Sequence, residues 1–315
     1  MKNVYTLTAV FLILCMLLFP LIPAKKQNRT PETATLASLA VAAPDHENFR
    51  VLTSDGTVRE FSVQDYLFGV VSAEMPASYQ PEALKAQAVA AYTYALYKQD
   101  QNQKEPYDIT ADPGKDQAFY TREEAASHFG DHPKECAEKI DSAIQSVLGR
   151  RILYENKPIF AAYTAISGGK TESSENAFGT PLPYLQPVES IGDLLCSDYL
   201  STATFTPEEL QPILSGLGVT GATESWFSDP QVSDSGTVLS MDFGGTRITG
   251  ADLRSALGLR SADFSVSFAD GTFTLSVRGY GHLCGMSQYG ANYMALQGSD
   301  YREILSHYYT GCTVE

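Results

Sequence analysis

The chain has 315 residues, 43% hydrophobic and 19% charged, which provides for one or two packed cores and excludes a disordered chain. Its net charge is −15, and because residues 1–47 hold four basic and three acidic side chains, the remainder carries −16. So acidic a body excludes nucleic acid or an anionic membrane surface as its main partner and suits a neutral or weakly charged substrate.

After a stub at residues 1–3, residues 4–23 form a charge-free apolar run, long enough to span a bilayer and longer than the core of an ordinary signal peptide. Lys25, Lys26 and Arg29 follow it in place of a small-residue cleavage site, so the run reads as an uncleaved signal anchor with Cys15 inside it. Its flanking charges, taken alone, favour a cytoplasmic body. Residues 24–47 lack periodicity and read as a flexible tether that gives the body reach from the membrane.

Residues 49–52 and 58–63 alternate around Ser54-Asp55-Gly56, a hairpin signal. Asp65 opens a helical run toward Glu74-Met75-Pro76, where Pro76 drives Met75 into extended backbone and ends the element. Glu74 is a lone carboxylate among apolar neighbours; desolvation there raises its pKa and makes it a candidate proton donor, the competing reading being an idle surface acid. Pro81 and Glu82 suit a helix start, and Leu84, Ala88, Ala91 and Ala95 recur at helical spacing. Their small side chains predict close packing that fixes the loop carrying Glu74.

Residues 108–120 read as loop, and 121–124 with 136–148 as helical. Strands are expected at 152–154 and 159–163 around the turn 155–158, delivering the loop Ser167-Gly168-Gly169-Lys170-Thr171-Glu172. From about 200 to 265 a helix at 206–215, strands at 237–243 and 246–249 and a helix at 250–257 suggest an inserted smaller subdomain. A hairpin at 264–268 and 272–277 follows, then a glycine-rich loop with His282 and helices at 287–297 and 301–309, the second opened by a capping box of Asp300 and Glu303. Helices and short antiparallel strands mix without regular alternation, which predicts an α+β fold.

Four blocks resemble, in content and order, the stage II sporulation protein D family. They are Asp65-Tyr66-Leu67 through Glu74-Met75-Pro76 to Ala86-Gln87-Ala88-Val89-Ala90-Ala91; Ser167-Gly168-Gly169-Lys170-Thr171-Glu172; Leu257-Gly258-Leu259-Arg260-Ser261; and Gly279-Tyr280-Gly281-His282 running into Gly285-Met286-Ser287-Gln288-Tyr289-Gly290-Ala291. The blocks run from Asp65 to Ala291, and the resemblance covers roughly residues 48–315. The resemblance implies an extracytoplasmic, single-pass membrane-anchored lytic transglycosylase. It would cleave N-acetylmuramic acid–N-acetylglucosamine bonds of peptide-free peptidoglycan strands during septal remodelling and engulfment in endospore formation, between mother cell and forespore. A peptidoglycan amidase and a membrane scaffold are the implied partners, and no cofactor is expected.

By position in these motifs Glu74 is the implied catalytic acid. Gln87, Tyr163, Ser167, Gly168, Gly169, Lys170, Glu172, His282, Ser287, Gln288 and Tyr289 are the implied substrate-binding residues. Their own chemistry agrees in part: glycines let backbone approach a ligand and tyrosines present flat apolar faces with polar tips. His282 reads equally well as a structural hydrogen-bonding residue. A hydrolase needs two carboxylates at a set separation; only Glu172 or Glu175 offers a second one, so the one-acid scheme is favoured.

Two positions depart from the family. Tyr92 stands where many members carry Arg, which keeps open a non-catalytic glycan-binding or amidase-enhancer role. Residues 109–116 lack the Cys and His that suit zinc in some members, so no metal is expected there, and Gly130 and Pro133 break the helical spacing of His128, His132 and Cys136. Cys136, Cys196, Cys284 and Cys312 permit three full pairings in an oxidising compartment. Cys284 with Cys312 is expected, because the two helices after Gly285 can fold back as a hairpin and because Cys284 interrupts the family's His-Gly-x-Gly pattern.

Overall fold

A computed structural model describes residues 48–214 and 221–315. The expected signal anchor and tether lie outside the described residues; among the described residues no helix is long and apolar enough to cross a membrane. The architecture is α+β.

β1 (Asn48–Leu52) and β2 (Val58–Ser62) form the expected antiparallel hairpin. α1 (Val63–Glu74) starts at Ser62, whose hydroxyl accepts from the Asp65 N–H, and stops because Met75 is extended at φ −123°, ψ 138°. α2 (Pro81–Gln101) follows, then β3 (Ile109–Thr110), parallel to β1, and α3 (Arg122–His128) and α4 (Pro133–Val147). The Ala side chains of α2 are buried on more than one face, and α1 and α4 pack directly on it.

β4 (Ile152–Tyr154) pairs with the short β5 (Lys157–Pro158), and β6 (Tyr163–Thr164) comes next. Residues 159–162, expected in a strand, join no ladder. The Ala162 carbonyl is taken by the Met286 N–H and the Tyr309 hydroxyl, so its bonds go to the C-terminal part of the chain. α5 (Ser174–Phe178) and a 3₁₀ turn at Ile191–Leu195 follow.

The middle of the chain holds β7 (Leu200–Phe205), α6 (Pro207–Leu214), β8 (Phe227–Val232), β9 (Val238–Phe243), β10 (Thr246–Thr249), α7 (Gly250–Leu257), β11 (Asp263–Ala269) and β12 (Thr272–Arg278). Two three-stranded sheets result, ordered β10-β9-β8 and β11-β12-β7. β8 escapes a pattern reading because Pro230 interrupts it, Asp229 has φ +46° and its register shifts along β9. Leu210, Trp226, Phe243, Leu253, Phe273 and Leu275 build a buried apolar cluster separate from the main core. It runs past residue 265 because β11 and β12 turn Phe264, Phe273 and Leu275 into it.

β13 (Met286–Ser287) lies parallel to β6, and α8 (Gln288–Leu296), α9 (Tyr301–Tyr308) and β14 (Thr313–Val314), on β4, close the chain. α8 and α9 fold back as the expected hairpin, and both pack on α2. Asp300 and Glu303 form the predicted capping box.

Candidate active site

Glu74 is the last residue of α1, and the extended Met75 turns the chain away, so the carboxyl stands at a helix end. Its Oε1 accepts from the Ala118 N–H at 2.9 Å and its Oε2 from the Gln288 amide at 3.2 Å. The side chain stays partly exposed. Burial pushes the carboxyl above its ordinary range, and the bonds from Ala118 and Gln288, with the Tyr163 hydroxyl nearby, only partly oppose that. No cation figures among these contacts.

Gln288 reaches Glu74 from the first turn of α8, and α8 is held by its N-cap. The Ser287 hydroxyl accepts from the Gly290 N–H at 3.1 Å and donates to Asp193 Oδ1 at 2.7 Å. Asp193 also accepts from the Ser167 N–H at 2.9 Å and its hydroxyl at 2.5 Å. Fully buried, its carboxyl is pushed upward by desolvation against the pull of these donors. One carboxylate therefore fixes the Ser167 loop to the start of α8. Gly285 completes the fit: at φ +75°, a Cβ there would stand 1.9 Å from the Ala162 carbonyl oxygen, so only glycine lets the chain enter β13 beside residue 162. On the other side the loop after Glu74 is pinned by the Gln80 N–H on Asn292 Oδ1 at 2.8 Å. Tyr79 meets Tyr289 edge-on with ring centroids 6.3 Å apart.

Glu74, Tyr163 and Gln288 come together, while Tyr289, which follows Gln288 on α8, faces Tyr79 and Leu195. Ser167 and Ser287 are fully buried and act behind the site, where contact with substrate was expected. Gln87 is likewise sealed within the packing of α2, and neither of its amide atoms has a partner. The Gly168 and Gly169 carbonyls accept from the Tyr199 hydroxyl and the Ser190 N–H, and the backbone of Lys170 lies antiparallel to that of Glu189 in an isolated β-bridge.

Glu172, 1% exposed, accepts from the Ser173 N–H, the Asn176 amide and the Ser233 hydroxyl. Burial alone would raise its pKa, but these bonds together outweigh burial and hold it below the usual range. It therefore straps the core to the loop before β9, with its carboxylate taken up by protein donors. Glu175 is exposed on α5. Asp116 shares the electrostatic neighbourhood of Tyr66 with Glu74, but it is ion-paired with Lys98 at 2.8 Å and accepts from Tyr94.

The His282 ring is held in its neutral form. Its Nδ1 accepts from the Cys284 N–H at 3.1 Å, its ring meets Phe178 edge-on, and burial pushes its pKa down to about 4. Tyr92 is 1% exposed against Phe49 and brings no charge to the site. His128 stacks on Tyr120, and His132 faces Glu135 at 3.6 Å. The disulfide expected between Cys284 and Cys312 is not formed, and both are free thiols. Both act on the Tyr309 hydroxyl, so the hairpin does bring them into one neighbourhood; burial pushes the Cys284 thiol up to about 12.

Asp193, Gln117, Ala118 and Tyr79 join the site without having been singled out from the sequence. Asp193 carried the same signal as Glu74, an acid set between Ile191 and Leu195 in an apolar run. The Ala118 contact is made by backbone and leaves no trace in residue type.

A profile of the family described as stage II sporulation protein (SpoIID) matches residues 53–154, which include α1, Glu74 and α2. Stage II sporulation protein D of Bacillus amyloliquefaciens is 36% identical over 266 residues, covering 83% of this chain and 76% of that protein. Its counterpart in Bacillus subtilis (strain 168) is 34% identical over 273 residues, covering 83% and 77%. An amidase enhancer of the same Bacillus subtilis strain is 27% identical over 305 residues, covering 79% of this chain and 40% of that protein. Relatives this similar, over most of both chains, show the family: the chain belongs to the stage II sporulation protein D family.

Proposed function

We propose that this protein is a lytic transglycosylase of peptidoglycan, cutting N-acetylmuramic acid–N-acetylglucosamine bonds of peptide-free strands during septal remodelling and engulfment in endospore formation. The observation that carries the reading is the single partly dry carboxyl of Glu74, with raised pKa and no free second carboxylate in contact with it. Protonated Glu74 gives its proton to the leaving glycosidic oxygen as the bond to C1 breaks. As carboxylate it then takes the proton of the muramic C6 hydroxyl, whose oxygen closes on C1 to leave a 1,6-anhydro end. Glu74 returns to its acid form and no water is consumed. Gln288 and the Ala118 N–H orient the carboxyl, and their donated bonds stabilise its charged form between the two steps.

The apolar run at residues 4–23 supports a membrane anchor; a body outside the cytoplasm follows from the peptidoglycan substrate, and peptide-free strands make an amidase the upstream partner, with a membrane scaffold holding the machinery together. Digestion of peptide-free strands followed by mass measurement tests the activity: anhydro-ended fragments from the native protein and none from Glu74→Gln are expected.

Tyr92, in place of the arginine many members carry, favours a second reading, a glycan-binding protein that assists an amidase. It predicts retention of strands with no new ends.

A further inference from the structure

Two of the four motif blocks, Leu257-Gly258-Leu259-Arg260-Ser261 and Gly279-Tyr280-Gly281-His282, take no part in the chemistry of Glu74, yet the fold brings them together. The Gly281 N–H donates to the Arg260 carbonyl at 3.0 Å. The Arg260 guanidinium lies over the Tyr280 ring, 4.5 Å from its centroid, and its Nε is buried without a hydrogen-bond partner. Arg254 stands beside them: its Nε reaches the Leu259 carbonyl over a long 3.4 Å, and with Thr237 and Gly281 it lines a cavity of about 240 Å³. Arg50, Arg59, Arg122, Arg247 and Arg278 are each paired with an aspartate, whereas neither Arg254 nor Arg260 meets a carboxylate among the described residues. Glu172 shares the cavity wall, but its carboxylate is taken up by the Ser173, Asn176 and Ser233 donors. Burial depresses the Arg254 pKa, and no carboxylate opposes it. Desolvated charges in a finished fold are paired. Two unpaired guanidiniums around one tyrosine, in a body that carries −16, therefore mark a place where an anion comes from outside.

A line of side chains leads to this cluster from the surroundings of Glu74. Tyr79, on the loop after Glu74, meets Tyr289, whose hydroxyl donates to the carbonyl of Leu195, 65% exposed, at 3.4 Å. The Cys196 carbonyl accepts from the Tyr199 N–H and the Tyr199 carbonyl from the Gly279 N–H, which sets Tyr280, 48% exposed, next along the line. The Tyr280 backbone also exchanges hydrogen bonds with Ile166, three residues and at most about 11 Å of chain from Tyr163.

Resting on the glycan reading of the site, we propose that Arg254 and Arg260, set around Tyr280, form a subsite for the lactyl carboxylate of a muramic acid residue in the bound strand. A guanidinium meets a carboxylate with parallel N–H donors, and the exposed part of the tyrosine ring gives the sugar a flat apolar surface. The lactyl group is a free carboxylate only where the stem peptide has been removed; with the peptide attached it is an amide. The subsite thus reads peptide removal by charge and selects peptide-free strands.

Calorimetry with the full chain carrying Glu74→Gln, which leaves the ligand uncut, tests this on three forms of one N-acetylglucosamine–N-acetylmuramic acid tetrasaccharide. The first has free lactyl carboxylates, the second has them converted to methylamides, and the third carries stem peptides. The free acid is expected to bind about tenfold more tightly than the methylamide, the difference made by hydrogen bonds to a charged group. Rising salt is expected to shrink that advantage. Arg260→Gln is expected to remove most of it; Arg254→Gln narrows it and decides the matter if Arg260→Gln does not fold. Equal binding of acid and methylamide, no binding of either, or an advantage unchanged in both variants overturns the subsite. Equal binding of the acid and the peptide-bearing form also overturns it, by assigning the arginines to peptide carboxylates. An advantage for the acid without strand cleavage by the native protein contradicts the enzymatic reading alone; cleavage without the advantage contradicts the subsite alone.

Discussion

Glu74 owes its proton-donor character to the place where α1 stops. Pro76 forces Met75 out of the helix, and the carboxyl is left among apolar groups with two neutral donors and no cation. The unfolded chain releases this proton near the ordinary carboxyl value, whereas the folded chain holds it to higher pH. The folding contribution is thus present in acid and lost as pH rises through the raised pKa. Glu74→Gln is expected to gain about 1 kcal/mol of stability at neutral pH, read as a shifted urea midpoint, while strand cleavage disappears. On the proposed function, cleavage by the native protein is expected to fall as pH climbs through the same pKa. Asp193 works at one remove: Asp193→Ala strands the Ser167 and Ser287 donors and is expected to cost about 3 kcal/mol, with turnover lost more steeply than strand binding. Glu74 could be read from its neighbours because a charge in an apolar run before a proline is conspicuous. Gln117 could not, since nothing in a loop without periodicity tells which amide will be buried beside Tyr66.

At the scale of elements, α2 is the wall on which α1, α4, α8 and α9 lean, and its alanines set how closely they approach. Ala91→Leu, at a fully buried position, is expected to destabilise the protein by about 1–3 kcal/mol through overpacking, measured by denaturant unfolding. The loop through His282 depends on a neutral ring. Below about pH 6.5 the unfolded chain takes up a proton that the folded chain refuses until about pH 4, so stability declines as pH falls through that window. His282→Gln is expected to flatten this decline; an unchanged slope contradicts a neutral, buried imidazole. The hairpin, the two central helices and the C-terminal capping box were legible because their signals are local. β6 and β13 were not: two-residue strands paired across more than a hundred positions carry no pattern of their own, and the Ala162 carbonyl spends its bonds on distant partners.

For the whole molecule, two buried apolar clusters are joined through polar straps, chiefly Glu172 to Ser233 and Thr171 to Ser235. The second cluster runs past residue 265, which a sequence reading does not find, since β11 and β12 look like any hairpin until the faces they bury are known. The four thiols of the body are free, so alkylation after denaturation without reductant is expected to label Cys136, Cys196, Cys284 and Cys312; a linked Cys284–Cys312 peptide contradicts this. The body's acidity suits a neutral or weakly charged sugar polymer, and of the carboxyls Glu74, Glu172 and Asp193 only Glu74 keeps a partly exposed side chain. Digestion of peptide-free strands in water labelled with heavy oxygen asks most directly whether that one carboxyl performs both proton transfers. Anhydro ends free of label are predicted, because C6 oxygen replaces the leaving group; reducing ends carrying the label would show that water attacks and that a second base has to be found.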